Sequence, residues 1–480
     1  MDPLLAFDKA VGNAVERVVR GHHYRRLRKL GWKHALVPPA DGLWAEGDPP
    51  PRGGNAVDVL IDGEEALPRI VAELRKARSH VHIAGWHLSP YFALTRDGRR
   101  TVLRSLLAEL AERVDLRLLV WAGSPLPLFH PDRKDVDGVR HALAFGTSIH
   151  FAVDPKERPM HCHHEKLVVV DDRVAFVGGI DLTVLGGDRF DSSAHVARGE
   201  LGWHDATALL RGPIVADVAE HFRLRWREIA DEELPAPRRP RRAGDVELQL
   251  VRTVPENVYD AVPRGEFRIL EAYTRALRSA QKLVYLENQF FWSSEIAEIL
   301  QDKLAHPPSD DFRLVLVLPI DPNNGGDNTR GQLADLLDCD GRAGRVLACT
   351  ITALGERGPS PVYVHAKIGI VDDRWFTIGS ANVNEHSLFN DTEVNVIACE
   401  HELARRTRLR LWAEHLQTTE RAVSGDPTKV VDELWRPLAE EQRRRRERGE
   451  QQTHRLSELP HLSRRTRRLL GPVQGLLVDG

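Results

Sequence analysis

A segment of this chain occurs twice. The run HCHHEKLVVVDDRVAFVGG (His161 to Gly179) returns as VHAKIGIVDDRWFTIGSAN (Val364 to Asn382). Aligned, His164, Lys166, Asp171 and Gly178 match His365, Lys367, Asp372 and Gly379 at a constant offset of 201 (365 − 164). A repeat at that distance means that each half must build the same supersecondary unit and that the two units must pack as related bodies. The flanking pattern agrees. Strand-like runs such as AVDVLID, HVHIAGWHL and DLRLLVWAG in the first half, and KLVYLEN, FRLVLVLPI and RVLACTITAL in the second, alternate with amphipathic helical stretches. That alternation predicts an α/β fold: two similar α/β sandwich halves with mixed, mostly parallel sheets covered by helices. The expected boundaries are 1–46 for an amphipathic and basic helical segment, 57–233 for the first half and 234–244 for a Pro/Arg-rich linker. The second half follows over 245–425, and 426–480 forms a charged, partly helical tail open to fraying.

Three histidines, a cysteine and a glutamate within His161–Glu165 suggest a metal cluster, but only His164 survives in the second copy, where Val-Tyr-Val replaces His161, Cys162 and His163. The element common to both copies is H-x-K-x4-D. On a strand, His164 and Lys166 share one face, as do His365 and Lys367. A lysine beside the histidine is wrong for a cation and right for an anion, because an ammonium is a compact point charge that holds a phosphate oxygen. Zinc needs three or four converging ligands, so the motif is read as a phosphate site with no metal. Two histidines can divide the work on a phosphodiester, one attacking phosphorus and the other acting as acid and base. The lysines would hold the transition-state charge, so no cofactor is expected. Asp171 and Asp372 belong to the motif's catalytic set by position. Strand parity nevertheless sets them off the His/Lys face, where turn carboxylates bond local N–H groups.

Two such motifs, with GSANVNEHSL, YLENQFF and the block Trp203 to Trp226 in order around them, resemble the phospholipase D superfamily and, in the flanking blocks, its eukaryotic-type members. The resemblance covers roughly residues 57–425 and implies a pseudo-twofold fold and a phosphohistidine intermediate. It implies His164 as nucleophile and His365 as acid/base. Lys166 and Lys367 become phosphate ligands, helped by Ser380 and Asn382, which match the family's G-S-x-N positions. Glu393, 28 residues after His365, matches a carboxylate that orients a catalytic histidine, and Asp191, 27 after His164, is the candidate for the equivalent role. Gly179 and Asp181 stand where the second copy has Ser and Asn, and His386 stands where many relatives have arginine.

Around these lie residues of lesser weight. Glu287, Asn288 and Gln289 end a strand where α/β folds place sites, and Gln289 is taken as a substrate-binding residue. Trp86, Phe291 and Trp292 are candidates for a pocket wall or the core. His204 and Asp205 in GWHD are read as a structural hydrogen bond, and His161 and His163 as neighbours of the site. The first twenty residues and the basic run Arg20–Lys29 are expected as a helix packed on the core with a solvated basic end.

A formal net charge of −3 over 480 residues promises no basic groove, so nucleic acid is disfavoured as a partner. Four cysteines without CxxC spacing, and no apolar run of membrane-spanning length, fit a cytoplasmic chain that touches membrane only peripherally. The leading expectation is a phosphatidyl hydrolase or transferase acting on glycerophospholipid at a membrane surface, as a monomer because both motifs lie in one chain. The alternatives are a nuclease or a cardiolipin synthase-like transferase on the same scaffold.

Overall fold

The computed structural model describes residues 3–459 apart from 40, 97, 99, 128, 159, 188–200, 322–325, 342 and 356–358. The first half contributes β1 (Arg52–Ile61), β2 (His80–Gly85), β3 (Asp115–Trp121), β4 (His150–Asp154), β5 (Leu167–Val170), β6 (Val174–Gly178), β7 (Gly202–His204) and β8 (Ala206–Arg211). The second contributes β9 (Val246–Val254), β10 (Glu266–Phe267), β11 (Leu283–Glu287), β12 (Arg313–Val317), β13 (Val346–Ala353), β14 (Ser360–Val364), β15 (Ile368–Val371), β16 (Trp375–Gly379), β17 (Glu393–Ala398) and β18 (Leu456–Glu458).

The two sheets repeat one another strand for strand. The first runs β4-β3-β2-β5-β6-β8-β1. The second runs β13-β12-β11-β15-β16-β17-β9, extended by β18 beside β13 and β10 beside β9. The register repeats too, since Val81 pairs with Val170 as Val284 pairs with Val371. The sheets are mixed but not mostly parallel. In the first, β2–β3 and β3–β4 are parallel, while the remaining four pairings are antiparallel. The motif forms a tight hairpin and the strands after it return beside it, and short connections join only antiparallel neighbours. Within the two sheets, parallel pairing is confined to the strands joined through helices.

One buried apolar cluster draws on both sheets and on the helices Ile214–Ala230 and His401–His415, for example Val169, Ala208 and Phe222 with Ile368, Val396 and Trp412. Two further clusters cover the outer faces, one in each half. The shared cluster fixes the halves against each other and brings the two motif hairpins to one place.

The first helix spans Pro3–Leu30 and packs on this body: Leu27 is fully buried, and the Arg26 guanidinium donates to Glu256 (2.6 Å) and to the Phe389 carbonyl (2.8 Å). The expected C-terminal tail is instead packed as far as it is described. Helix Arg436–Glu447 follows a π-helical turn carrying the buried Trp435, and β18 with buried Leu456 pairs antiparallel with β13. The arginine-rich stretch after residue 460 lies outside the described residues. No described helix is long and apolar enough to cross a membrane.

Candidate active site

Each motif sits just ahead of a hairpin, with His164 and Lys166 leading into β5 and His365 and Lys367 into β15. Both lysines turn back on their own motif: Lys166 Nζ donates to the His164 carbonyl (2.6 Å) and Lys367 Nζ to the His365 carbonyl (2.5 Å). The two imidazoles face one another across the halves, their ring centroids 6.3 Å apart at 70°. All four side chains are buried, His164 at 2% and His365 at 4% exposure.

The backbone that carries each histidine is laddered to the other half. His164 N–H donates to the Thr392 carbonyl (3.0 Å) and Thr392 N–H to the Cys162 carbonyl (3.1 Å), while β14 pairs in parallel with β7 and His365 N–H donates to the His204 carbonyl (2.7 Å). The orienting carboxylates are exchanged as a result. Glu393 Oε1 lies 2.9 Å from His164 Nδ1, and Asp205 Oδ2 lies 2.6 Å from His365 Nδ1. Glu393 heads β17 and Asp205 immediately precedes β8, equivalent strands in the two sheets. Glu393 therefore orients the histidine of the opposite half, and the residue that orients His365 is Asp205, read from the sequence as merely structural. Asp191 lies outside the described residues.

Each carboxylate fixes its imidazole with Nδ1 toward the acid, so Nε2 is the nitrogen turned away from it in both cases. Burial would raise the Glu393 carboxyl, but His164, Lys166 and the Ser380 hydroxyl hold it below the usual range. Ser380 Oγ donates to Glu393 Oε2 and Ser387 Oγ to Oε1 (2.5 Å), which makes Ser380 a support for the carboxylate. Gly179, the counterpart of Ser380, is small for a reason. A Cβ there would lie 2.1 Å from Asp205 Oδ1, so any side chain would displace the acid from His365. Asp181, the counterpart of Asn382, accepts the N–H groups of Trp86 (3.1 Å) and His87 (2.9 Å) and thereby turns the chain after β2.

Gln289, taken from the sequence as substrate-binding, lies beside the second lysine. Its Oε1 accepts from Lys367 Nζ and Asn382 Nδ2, both at 3.2 Å, and its Nε2 donates to Tyr363 OH (2.9 Å). Trp203 packs against His365 with centroids 4.6 Å apart and against Tyr363 at 4.7 Å, forming an aromatic wall that the sequence did not single out.

Asp171 and Asp372 are not brought into the site. Each lies at the far end of its four-residue strand, in left-handed conformation (φ 55° and 53°). Asp171 accepts the N–H groups of Arg78, Ser79 and His80 at 2.9, 2.8 and 3.0 Å, and Asp372 those of Gln281, Lys282 and Leu283 at 2.7, 2.7 and 2.8 Å. They tie the hairpin turn to the start of the neighbouring antiparallel strand, β2 or β11, and lie off the His/Lys face as strand parity predicts.

The rest of the apparent cluster disperses. His163 turns to Asp154 (3.0 Å) and Thr392 Oγ1 (2.8 Å), and Glu165 to His221 (2.7 Å) and Arg225 (3.2 Å). Beneath the other histidine, His204 lies between Asp62 (2.9 Å) and Glu287 (2.8 Å). Burial disfavours its charge, yet the two carboxylates raise its pKa well above the usual value. Asp62 also accepts the Asp205 N–H (3.1 Å), so this network holds the acid that holds His365. Trp86 stacks on Trp121 and Phe291 joins the second-half core.

Similarity to known proteins agrees with this geometry. A family model described as a cardiolipin synthase, PLD-like domain, matches residues 273–412. Phospholipase D1 of Schizosaccharomyces pombe is 25% identical over 73% of this chain and 33% of its own length, and phospholipase D A of Dictyostelium discoideum 26% over 76% and 36%. Phospholipase D2 of Bos taurus is 26% identical over 72% and 50%. The chain thus spans a third to a half of these relatives' length. Among solved structures, phosphatidylserine synthase of Haemophilus influenzae superposes with TM-score 0.52 at 11% identity, over 77% of this chain and 86% of that one, which shows a common fold. The two motif hairpins meeting across a pseudo-twofold axis, together with these similarities, support membership of the phospholipase D superfamily.

Proposed function

We propose that the protein is a phospholipase D-type phosphodiesterase that cleaves a glycerophospholipid to phosphatidic acid and the headgroup alcohol. One observation carries this reading: two buried imidazoles face each other, each held by a carboxylate through Nδ1, with a lysine beside each. His164 Nε2 attacks phosphorus and forms a P–N bond. The P–O bond to the headgroup breaks, and protonated His365 delivers its proton to the leaving oxygen. A water molecule then loses its proton to His365 and attacks phosphorus, the P–N bond breaks, and phosphatidic acid departs. The lysines and Asn382 stabilise the charge on the non-bridging oxygens. The enzyme would act as a monomer, from the cytoplasm, at a membrane surface.

The test is headgroup release from phosphatidylcholine vesicles in the presence of a chelator. Wild type should release choline and His164→Asn should not; full activity in His164→Asn would refute the mechanism. The second reading is transfer to an alcohol in place of water, which the synthase description of the matching family model supports. Adding a primary alcohol to the same assay separates the two by product: phosphatidic acid or the phosphatidyl alcohol. Single-stranded DNA in place of lipid tests the nuclease alternative.

A further inference from the structure

His161, in the motif run, meets two residues from the second half. Its Nδ1 lies 3.0 Å from His386 Nδ1 and 3.4 Å from Asp391 Oδ1. One ligand atom from each of the three lies within 4.8 Å of the others. A tetrahedral site with metal–ligand distances of about 2.0–2.2 Å separates its ligand atoms by roughly 3.3–3.6 Å; the 3.4 Å edge falls in that range and the 3.0 Å edge is a few tenths of an ångström short of it. The partners are preorganised. Asp391 N–H donates to the His386 carbonyl (2.8 Å), which ties Asp391 to the helix Glu385–Phe389 that carries His386. Cys162 N–H donates to Asp391 Oδ1 (2.9 Å) and orients the carboxylate, as outer hydrogen bonds orient metal ligands. The Trp292 ring packs edge-on against His386 with centroids 5.4 Å apart. His386 and Asp391 are buried, and His161 is 17% exposed in its side chain, which leaves an approach from solvent.

We propose that His161, His386 and Asp391 form a three-ligand site for a divalent transition-metal ion of the Zn2+ class, with its fourth position open to water or an anionic oxygen. Two imidazoles and one carboxylate are the donor set such an ion prefers, and an open fourth position is the arrangement of zinc sites that take exogenous ligands. The ion clasps the segment leading into His164 to the turn leading into Glu393, since His161 precedes the one by three residues and Asp391 the other by two. It lies outside the two-histidine chemistry and is not required by it.

The experiment is calorimetric titration of metal-free full-length protein with ZnCl2, repeated with CoCl2 to read the visible spectrum of a four-coordinate Co2+ site. The expected result is a saturable site whose affinity falls at least about tenfold in His161→Gln and in His386→Gln, and which His164→Gln and His130→Gln leave unchanged. Near-UV circular dichroism of the partly exposed His161→Gln variant confirms that it is folded. Loss with His164→Gln but not His161→Gln would place the ion on the catalytic pair. Loss with His130→Gln alone would place it on the exposed His130, Asp132, Asp135 group. Either result, or no saturable binding, overturns the proposal and leaves a direct hydrogen bond between two imidazoles.

Discussion

Replacing Asp205 by Asn keeps the shape of the side chain and removes its charge. Beside His365 Nδ1, at 2.6 Å, the amide could present its NH2 and stabilise the wrong tautomer, and it could not stabilise the imidazolium that donates to the leaving group. Asp205→Asn should therefore lower kcat by roughly 10²–10⁴ with a much smaller change in KM, measured by headgroup release. Its phosphoenzyme, trapped by a neutral denaturing quench, should form more slowly after mixing, because His365 protonates the leaving oxygen in the first step. Glu393→Gln should act through His164 in the same way. The pairing behind these predictions was not legible in the sequence. His164 and Lys166 are two residues apart, so a local pattern reveals them. Asp205 and His365 are 160 residues apart, and they meet only because the strands of one half ladder onto the other. Repeat logic searched for each acid within its own half, and the exchange of partners defeats that search. Gly179 carried a signal: a glycine opposite Ser380 marks a place where something must come close, and that something is Asp205.

At the scale of the hairpin, the motif aspartates separate stability from chemistry. Asp171 and Asp372 each accept three backbone N–H groups, so they fix where the hairpin turn meets the preceding helix-to-strand connection. A carboxylate bonded to several N–H groups is worth about 1–3 kcal/mol when half-buried. Asp171→Ala should lower unfolding stability by that amount in urea titration while keeping most of the activity per folded molecule. A loss of kcat without a loss of stability would assign the aspartate a chemical role after all. Strand parity made this element legible, because a period of two assigns faces without any knowledge of partners. The C-terminal element was not legible. Its helix Arg436–Glu447 reads as charged and solvated, and the contacts that bury it come from isolated residues, Val431, Trp435, Ala439 and Leu456, too sparse to form a pattern. Composition assigns such a segment to solvent even when a few large side chains pin it.

At the scale of the whole molecule, buried carboxylates on either side of the two-sheet core respond to pH in opposite directions. Glu165, under the first motif, would be raised by burial, but Arg225 and His221 outweigh that and bring it down to about 2. Its folded pKa is below the unfolded value near 4.5, so the stability it contributes is present above that value and is lost as pH falls toward 2. Glu385 is the reverse case. Burial and the neighbouring charge of Glu295 push it up to about 7, against the opposing pull of His23 and the Ser294 hydroxyl, with Glu16 adding to the rise. Between roughly pH 4.5 and 7 the folded protein keeps a proton that the unfolded chain releases, so this group makes stability fall as pH rises through that window. Glutamine copies the protonated form. Glu385→Gln should therefore match wild type near pH 4 and exceed it near pH 8, by an amount on the order of 1 kcal/mol, read from urea midpoints at the two pH values. Because His23 on the first helix pairs with Glu295 at 2.7 Å, the same variant should also tighten that helix on the body at the higher pH, visible as slower amide exchange over residues 20–30. Equal midpoints for the two proteins at both pH values would show that Glu385 is ionised in the folded state, and that the first helix is held by Arg26 and Leu27 without any contribution from this cluster.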